Sequence, residues 1–214
     1  MRRVQVRPVW WKCSACSPAC CGVTSANRLL DAATEIQRFC EEQGWVFYFI
    51  GGIAVQHWGE ARLTRDADLT VVTGVGDEAR YVDALLARFA ARIDNAREFA
   101  LRHRVLLLSA SNGIPVDLAL GALAFEERAA TTAAPEQIAP GVWLRLCAPD
   151  TLIVYKVFAG RPQDWLDVEG IVTKSAKRID WSAVLGDLRE LLALKEDSES
   201  LPRLEALLAR QAGA

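Results

Sequence analysis

The stretch FIGGIAVQHWGEARLTRDADLTVV, residues 49–72, holds the pattern that decides the fold. The wholly apolar run WVFYFI, residues 45–50, predicts a short buried strand that ends at the pair Gly51-Gly52. A short helix is predicted next. The segment DADLTVV, residues 66–72, alternates polar and apolar side chains and predicts a second strand. The order of strand, glycine pair, helix and strand indicates a mixed α/β fold.

Two acidic side chains share one face of this second strand. Because alternate residues of a strand point to the same side, Asp66, Asp68 and Thr70 face the same way. Two carboxylates in this arrangement repel each other unless a positive charge lies between them, and a divalent metal ion supplies that charge. The sequence therefore predicts a metal site on this face.

A third carboxylate lies later in the chain. Residues 105–109 and 114–120 are predicted to be strands, because the Asn-Gly turn between them is typical of a β-hairpin. Asp117 lies in the second strand of this hairpin, residues 114–120, on the face opposite the large apolar side chains. If this strand lies beside the strand of Asp66, three acids converge, which suits two Mg²⁺ ions about 3.5 to 4 Å apart.

The glycine pair has a mechanical role in this interpretation. Glycine lets the backbone come close to a ligand, and the first N–H groups of a helix stabilise an anion together with the positive end of the helix dipole. We therefore predict that Gly51 and Gly52 hold the phosphates of a nucleotide.

The remainder of the chain changes from mixed elements to helices. Residues 122–141 are predicted to form an alanine-rich segment followed by a loop. The other predicted elements are helices over residues 25–43, 53–58, 77–92 and 150–160, the last capped by Asp150, a strand over residues 142–147, and helices that begin near Pro162, Asp180 and Ser200.

This pattern divides the chain into three parts. Residues 23–148 are predicted to form the α/β core, and residues 149–214 a helical C-terminal segment. Residues 1–22 are a basic, cysteine-rich leader without helix or strand periodicity, and we predict that it is disordered. Its CSACSPACC motif leaves zinc binding or a redox role as the alternative. Adjacent thiols without an export signal favour a reducing cytoplasm.

The composition excludes two classes of protein. The chain has 214 residues and is 51% hydrophobic, yet no apolar run approaches the roughly 18 to 20 residues that cross a bilayer. Of its 25 basic residues four lie in the first 22, so the remainder sets 21 bases against 27 acids, a net charge of about −6. Such a body has no broad positive surface for gripping duplex nucleic acid.

These residues resemble the signature of the DNA polymerase β-like nucleotidyltransferases. In that superfamily a Gly-Gly or Gly-Ser pair is followed by D-x-D and by a later strand aspartate. The signature is matched here by Gly51, Gly52, Asp66, Asp68 and Asp117. The resemblance implies a nucleotidyltransferase core of mixed α/β structure.

A later stretch, LIVYKVFAGRPQDWLDVEGI, is similar to a motif of the AbiEii-type abortive-infection toxins of the same superfamily. Those toxins have a lysine on a helix, then an arginine and an acidic D-x-x-D, matched here by Lys156, Arg161, Asp164 and Asp167. The toxin pattern places a basic residue directly before the D-x-x-D, and this chain has Gln163 there.

Because Gln163 is neutral, one cation of the toxin motif is missing, and the phosphates must be neutralised by other residues. The resemblance implies that phosphate is neutralised mainly by Lys156 and Arg161, with Arg62 or Arg65 as accessory cations. The alternative is that Lys156 and Arg161 are ordinary cations of a helix surface.

The resemblance also implies a reaction. Two Mg²⁺ ions on Asp66 and Asp68 would hold an NTP while an acceptor hydroxyl attacks the α-phosphorus and pyrophosphate leaves. Asp117 is implied to hold the nucleophile-side metal and to take the hydroxyl proton. The acceptor stays open between RNA, a protein, and a small molecule such as an aminoglycoside. The alternative from a different class is a catalytically silent protein that binds nucleotide or a cognate antitoxin; a membrane is not an expected partner.

Overall fold

The computed structural model describes residues 25–212, and the predictions for the cysteine-rich leader lie outside them. Seven strands of this part form one mixed sheet: β1 Phe47–Phe49, β2 Ala67–Val72, β3 Ala90–Ala91, β4 Val105–Ser109, β5 Pro115–Gly121, β6 Ala134–Ala139 and β7 Val142–Leu146. They lie in the order β3-β4-β5-β2-β1-β7-β6. The predicted mixed α/β fold is confirmed.

Helices cover both faces of this sheet. They are α1 Ser25–Glu42, α2 Gly51–Trp58, α3 Glu78–Arg88, α4 Ala96–His103, α5 Ala124–Thr132, α6 Pro149–Ala159, α7 Pro162–Ser175, α8 Trp181–Lys195 and α9 Ser200–Ala212. Within residues 25–212, each helix is too short or too polar to span a bilayer.

The alternation of side chains along the strands separates two hydrophobic cores. Phe47 and Phe49 point to one face of the sheet, where they join side chains of α1, α3 and α4 in the first core. Tyr48 points to the other face and joins α2 and the helices from α5 to α9 in the second core. The helices of the C-terminal part of the chain therefore pack on the same core as the glycine-pair helix.

Strand directions bring the predicted site residues to one edge of the sheet. β1 is antiparallel to β2, and β2 is parallel to β5. The end of β1 and the starts of β2 and β5 consequently lie at the same edge, and α2 begins there at Gly51. The glycine pair thus forms the first turn of the helix, which starts two residues earlier than predicted.

Helices α2 and α7 pack closely through two glycines. A Cβ atom added to Gly170 would lie 3.0 Å from the backbone nitrogen of Glu60, and one added to Gly59 would lie 3.0 Å from Cγ1 of Ile171. The Ser175 hydroxyl also donates to the carbonyl of Trp58 at 2.6 Å. These contacts fix one wall of the site against the other.

Two predicted elements were wrong in detail. The predicted helix over residues 77–92 ends at Arg88, because Phe89 turns into the first core and Ala90–Ala91 pair with β4 as an edge strand. The predicted loop within residues 122–141 is instead α5 and the edge strand β6, which pairs with β7. Single-chain periodicity does not reveal an edge strand whose side chains are largely exposed.

The start of α6 also differs from the prediction. Its N-cap residue is Ala148, and Pro149 occupies the first turn, where the missing N–H costs nothing. Asp150 lies inside the helix, and its carboxylate accepts from the backbone N–H of Thr151 at 2.8 Å. The predicted helix starts at Pro162, Asp180 and Ser200 agree with the structure within one residue.

Candidate nucleotide and metal site

Three carboxylates converge at the edge of the sheet. Asp66 directly precedes β2, Asp68 lies in β2, and Asp117 is the register partner of Asp68 on the parallel strand β5. One carboxylate oxygen from each residue lies within 4.8 Å of the others. Carboxylate oxygens are the ligands that Mg²⁺ prefers, so this donor set fits a divalent metal ion.

The electrostatics of this cluster show a shortage of positive charge. Burial, followed by the nearby charge of Asp66, raises the pKa of Asp68 to about 6. Burial also raises the pKa of Asp117, although the guanidinium of Arg92 opposes the shift. Both carboxyl groups would be more stable in their charged form if a cation were added between them.

The glycine pair makes room for these carboxylates. Gly51 has a φ of +62°, and a Cβ atom there would lie 1.9 Å from Oδ2 of Asp68. A Cβ atom on Gly52 would lie 2.1 Å from Oγ1 of Thr64, whose hydroxyl donates to Asp66 at 3.1 Å. The Gly52 N–H in turn approaches Oδ2 of Asp68 at 3.4 Å. A side chain at either glycine would therefore displace Asp68 or Thr64, which holds Asp66.

A cleft of about 450 Å³ opens beside this cluster, between α2, the start of β2, α6 and α7. Of the predicted site residues it brings together Gly51, Gly52, Arg62, Asp66, Asp68, Lys156, Arg161 and Asp164, and Thr64, Tyr155 and Gln163 complete much of its lining. Asp117 lies beyond this lining, on the far side of Asp68 along the sheet.

Lys156 is buried between two carboxylates. Its ammonium group donates to Oδ1 of Asp164 at 3.0 Å and lies 2.9 Å from Oδ2 of Asp167. Only 7% of the lysine side chain and 2% of each aspartate side chain is exposed. The lysine charge is therefore already balanced within the protein.

Two arginines extend this ion-pair network into the cleft. Arg62 donates to both carboxylate oxygens of Asp167, at 2.8 and 3.1 Å, and Arg161 donates to both oxygens of Asp164, at 2.6 and 3.2 Å. Three cations thus face two anions, which leaves one net positive charge beside the three-carboxylate cluster. The Arg161 side chain is 73% exposed, so part of its guanidinium faces solvent.

The network reverses the effect of burial on its two acids. Burial alone would raise the pKa of Asp164 and Asp167. Hydrogen bonds from Arg161 and Lys156 outweigh burial at Asp164, and those from Arg62 and Lys156 do so at Asp167, so that the pKa of each carboxyl group lies below its ordinary value.

Two other predicted positions differ from this group. Arg65 is exposed and does not line the cleft. Gln163 does line it, and its side-chain amide donates to Oδ1 of Asp167 at 3.3 Å. The position that carries a basic residue in the toxin motif therefore contributes a neutral hydrogen-bond donor here.

Sequence reasoning missed three residues at the site. Thr64 fixes Asp66, and the Tyr155 hydroxyl, 2.8 Å from the hydroxyl of Tyr48, lines the cleft. Arg92 is paired with Asp117. Arg92 could not be predicted, because it falls at the end of the segment predicted to be a helix. Thr64 stands two residues before the D-x-D, and this position could have identified it.

Comparison with known proteins supports the fold assignment. No family model matches the chain, and no curated protein matches it in sequence. An antigenic nucleotidyltransferase-like protein from Paracoccidioides brasiliensis is similar in structure, with a TM-score of 0.53 and 16% identity over 86% of this chain and 93% of that chain. The chain therefore has the fold of a nucleotidyltransferase-like protein.

Two further structures are more distant. The antibiotic-resistance factor ANT(2″)-Ia gives a TM-score of 0.46 at 16% identity, with 86% of this chain and 97% of that chain covered. The lincosamide antibiotic adenylyltransferase LnuA gives a TM-score of 0.45 at 9% identity, with 68% and 97% covered.

Proposed function

We propose that this protein is a metal-dependent nucleotidyltransferase, which transfers a nucleoside monophosphate from an NTP to an acceptor hydroxyl and releases pyrophosphate. The observation that carries the proposal is the convergence of Asp66, Asp68 and Asp117 beside the glycine-pair turn of α2, in a chain with a nucleotidyltransferase-like fold. Clustered acids alone are common on protein surfaces, whereas this cluster lies at the start of a helix and at the edge of a cleft.

The residues of the cleft have separate roles in this proposal. Asp66 and Asp68 would hold Mg²⁺ with Asp117, and the bound ions would neutralise the phosphates and activate the attacking oxygen. Gly51 and Gly52 place the positive end of α2 beside the phosphates. Arg161 and Arg62 would donate from the outer edges of their guanidinium groups, because their inner edges are held by aspartates.

In this proposal Lys156 acts through its neighbours and does not contact the phosphates directly. Its ammonium group is buried against Asp164 and Asp167, which balance its charge, so it would hold the cleft wall in shape and leave contact with the phosphates to Arg161 and Arg62. The accessory acids Asp164 and Asp167 serve to position Arg161 and Arg62.

Within the nucleotidyltransferases, we propose that this chain is a toxin-like enzyme. It would act in the cytoplasm and be paired with a cognate antitoxin. The support for this assignment is the K-x4-R-x2-D-x2-D spacing of Lys156, Arg161, Asp164 and Asp167, which the structure assembles into one network. RNA or a protein would then be the acceptor. The alternative is a small-molecule acceptor such as an aminoglycoside, and a catalytically silent nucleotide-binding protein is the alternative of a different class.

A labelling experiment tests the function and separates these acceptors. Each α-labelled NTP is offered with Mg²⁺ to total RNA, to a soluble protein extract and to aminoglycosides. We expect label on one acceptor class with the wild-type protein, none with Asp66→Asn, and wild-type labelling with the control Asp94→Asn, because Asp94 is exposed and belongs neither to the cluster nor to the lining of the cleft. Binding of Mg²⁺-NTP without transfer to any acceptor would favour the silent protein, and transfer by Asp66→Asn at the wild-type rate would contradict the metal site.

A further inference from the structure

Four side chains form a row across the sheet at the third carboxylate. Asp68 is paired in register with Asp117, and Asp117 with Leu107 on the antiparallel strand β4. The backbone N–H of Arg92, just after β3, donates to the carbonyl of Leu107 at 3.0 Å. Directly paired residues point to the same face of a sheet. Arg92 therefore emerges on the face of the carboxylates, and its guanidinium reaches past Leu107 to contact Oδ1 of Asp117.

The surface around this row is uncovered. Leu106 and Leu108 point into the first core and are fully buried. Val105 and Leu107, on the opposite face of the same strand, are only half-buried and belong to neither core. The cleft lies on the other side of Asp68, so solvent reaches Asp117 over this apolar strip, and Arg92 lies across it.

The three carboxylates are held in different ways. Asp66 accepts from the Thr64 hydroxyl, and Asp68 is approached by a backbone N–H. Among residues 25–212, Arg92 is the only cation that forms an ion pair with any of the three carboxylates, and its partner is Asp117. Without such a cation the like charges of the cluster would drive Asp117 away from the other two.

We propose that Arg92 is a positioning residue that holds Asp117 in place in the metal-free protein and yields this carboxylate when a divalent ion binds on the Asp117 side. The inference rests on the proposed function, because it presupposes metal binding at the cluster. A divalent ion attracts the carboxylate more strongly than a guanidinium does at the same distance, since it carries twice the charge. Arg92 and the ion therefore compete for the same group.

The exposure of this ion pair argues against a purely structural role. The side chains of Arg92 and Asp117 are 29% and 35% exposed, and ion pairs in that setting add little to folding stability. A contact whose loss costs little free energy suits a residue that must exchange partners. The buried pair of Lys156 and Asp164, with exposures of 7% and 2%, shows the contrasting case in the same molecule.

The test measures metal binding directly, by the loss of the free Mn²⁺ signal in electron paramagnetic resonance. Arg92→Gln is compared with wild type, with the conservative variant Arg92→Lys, and with the control Arg97→Gln, which removes an exposed ion pair to Asp83. We expect Arg92→Gln to bind Mn²⁺ about two- to fivefold more tightly, as expected from removing a competing surface-type ion pair. Arg92→Lys should lie between that variant and wild type, and Arg97→Gln should match wild type.

Kinetics supply a second readout that a structural role would not give. Arg92→Gln should reach half of its maximal rate at about two- to fivefold lower Mg²⁺ than wild type, because the carboxylate of Asp117 no longer has to leave a guanidinium before it meets the ion. Unchanged or weaker Mn²⁺ affinity in folded Arg92→Gln would overturn the inference and leave the proposed function intact. If the wild-type protein takes up no Mn²⁺ at all, both the inference and the proposed function fail.

Discussion

Two pairs of aspartates in this molecule have opposite electrostatic environments. Asp66 and Asp68 lie at the start of β2, where the pKa of Asp68 is raised to about 6 by burial and by its neighbour. Asp164 and Asp167 lie one turn apart on α7, where hydrogen bonds from cations hold the pKa of each below its ordinary value. The first pair lacks positive charge, and the second pair has it in excess.

This difference separates residues that await a ligand from residues that organise the site. The lysine and two arginines of the second pair are bound to its carboxylates before any nucleotide arrives. Sequence similarity gives both acidic motifs equal standing, but only the first is electrostatically prepared to receive a cation. Substitutions at the two pairs should therefore have different effects on stability and on transfer.

The largest effect should follow Lys156→Ala. The substitution leaves two carboxylates, each with a 2% exposed side chain, without their shared cation. We expect the free energy of unfolding to fall by about 3 to 5 kcal/mol, as is typical when one partner of a buried ion pair is removed. Urea unfolding measures the loss, with the exposed Lys177→Ala as the control. Unfolding at the wild-type midpoint would show that the charge of Lys156 is not needed by these acids.

Asp68→Asn should affect activity and stability in opposite directions. Transfer should fall by at least about a hundredfold, because a metal ligand is lost at the reacting centre. The metal-free protein should unfold at the same or a slightly higher temperature, because the substitution removes like-charge repulsion from the cluster. Calorimetry in the presence of a chelator measures the melting temperature, and the transfer assay measures activity. A variant that melted several degrees lower than wild type would contradict the prediction.

Gly51→Ala tests whether the first pair depends on the bare helix turn. A Cβ atom there would collide with the Asp68 carboxylate, so we expect transfer to fall by roughly tenfold or more as that ligand is displaced. Gly113→Ala is the matched control, because Gly113 also has a positive φ, +80°, but its Cβ atom would meet open space. Both variants should lose about 1 kcal/mol of stability to backbone strain. Equal transfer rates in the two would refute the steric requirement.

Arg161→Ala should have a smaller effect, on substrate use. Arg161 is 73% exposed, and its loss removes one of two cations around Asp164. We expect KM for NTP to rise by about fivefold to tenfold with little change in the free energy of unfolding, since exposed ion pairs contribute little to stability. Steady-state kinetics over a range of NTP concentrations measure this. An unchanged KM would assign the residue to the ion-pair network alone.

The smallest effect concerns the pH dependence of stability. Asp68 has a raised pKa in the folded protein, so it binds a proton more tightly there than in the unfolded chain. Its contribution should be favourable at low pH and be lost as pH rises from about 4 through about 6. In chelator, the stability advantage of Asp68→Asn over wild type should therefore grow over this window, by on the order of 1 kcal/mol. Asp164 and Asp167 act in the opposite sense, since their lowered pKa makes them stabilising above about pH 4.

Local patterns in the sequence predicted the strand faces of the three aspartates, which converge in the structure, but not the partners of the cations around them. The spacing of Asp66 and Asp68 on one strand face depends only on strand geometry. The hairpin turn predicted the strand of Asp117 and its pairing with β4, whereas its parallel pairing with β2 was a condition that the structure supplies. The partners of Lys156 were not predictable, because burial decides whether a lysine meets an internal acid or a ligand. Arg92 depends on the pairing of a two-residue edge strand, which no periodicity reveals. The division of the chain at residue 148 stays a prediction.

The glycine contact between α2 and α7 has a mechanical consequence for the cleft. The helix that begins with Gly51 packs so closely against the helix that carries Asp164 and Asp167 that a Cβ atom added to Gly59 or to Gly170 would lie 3.0 Å from an atom of the opposite side. Lys174 also donates to the carbonyls of His57 and Gly59 at the end of the first of these helices. These two walls cannot slide apart without breaking that seam, so they form a rigid slot. Backbone amides of α2 and α7 should accordingly exchange with deuterium together and slowly, in one cooperative opening event.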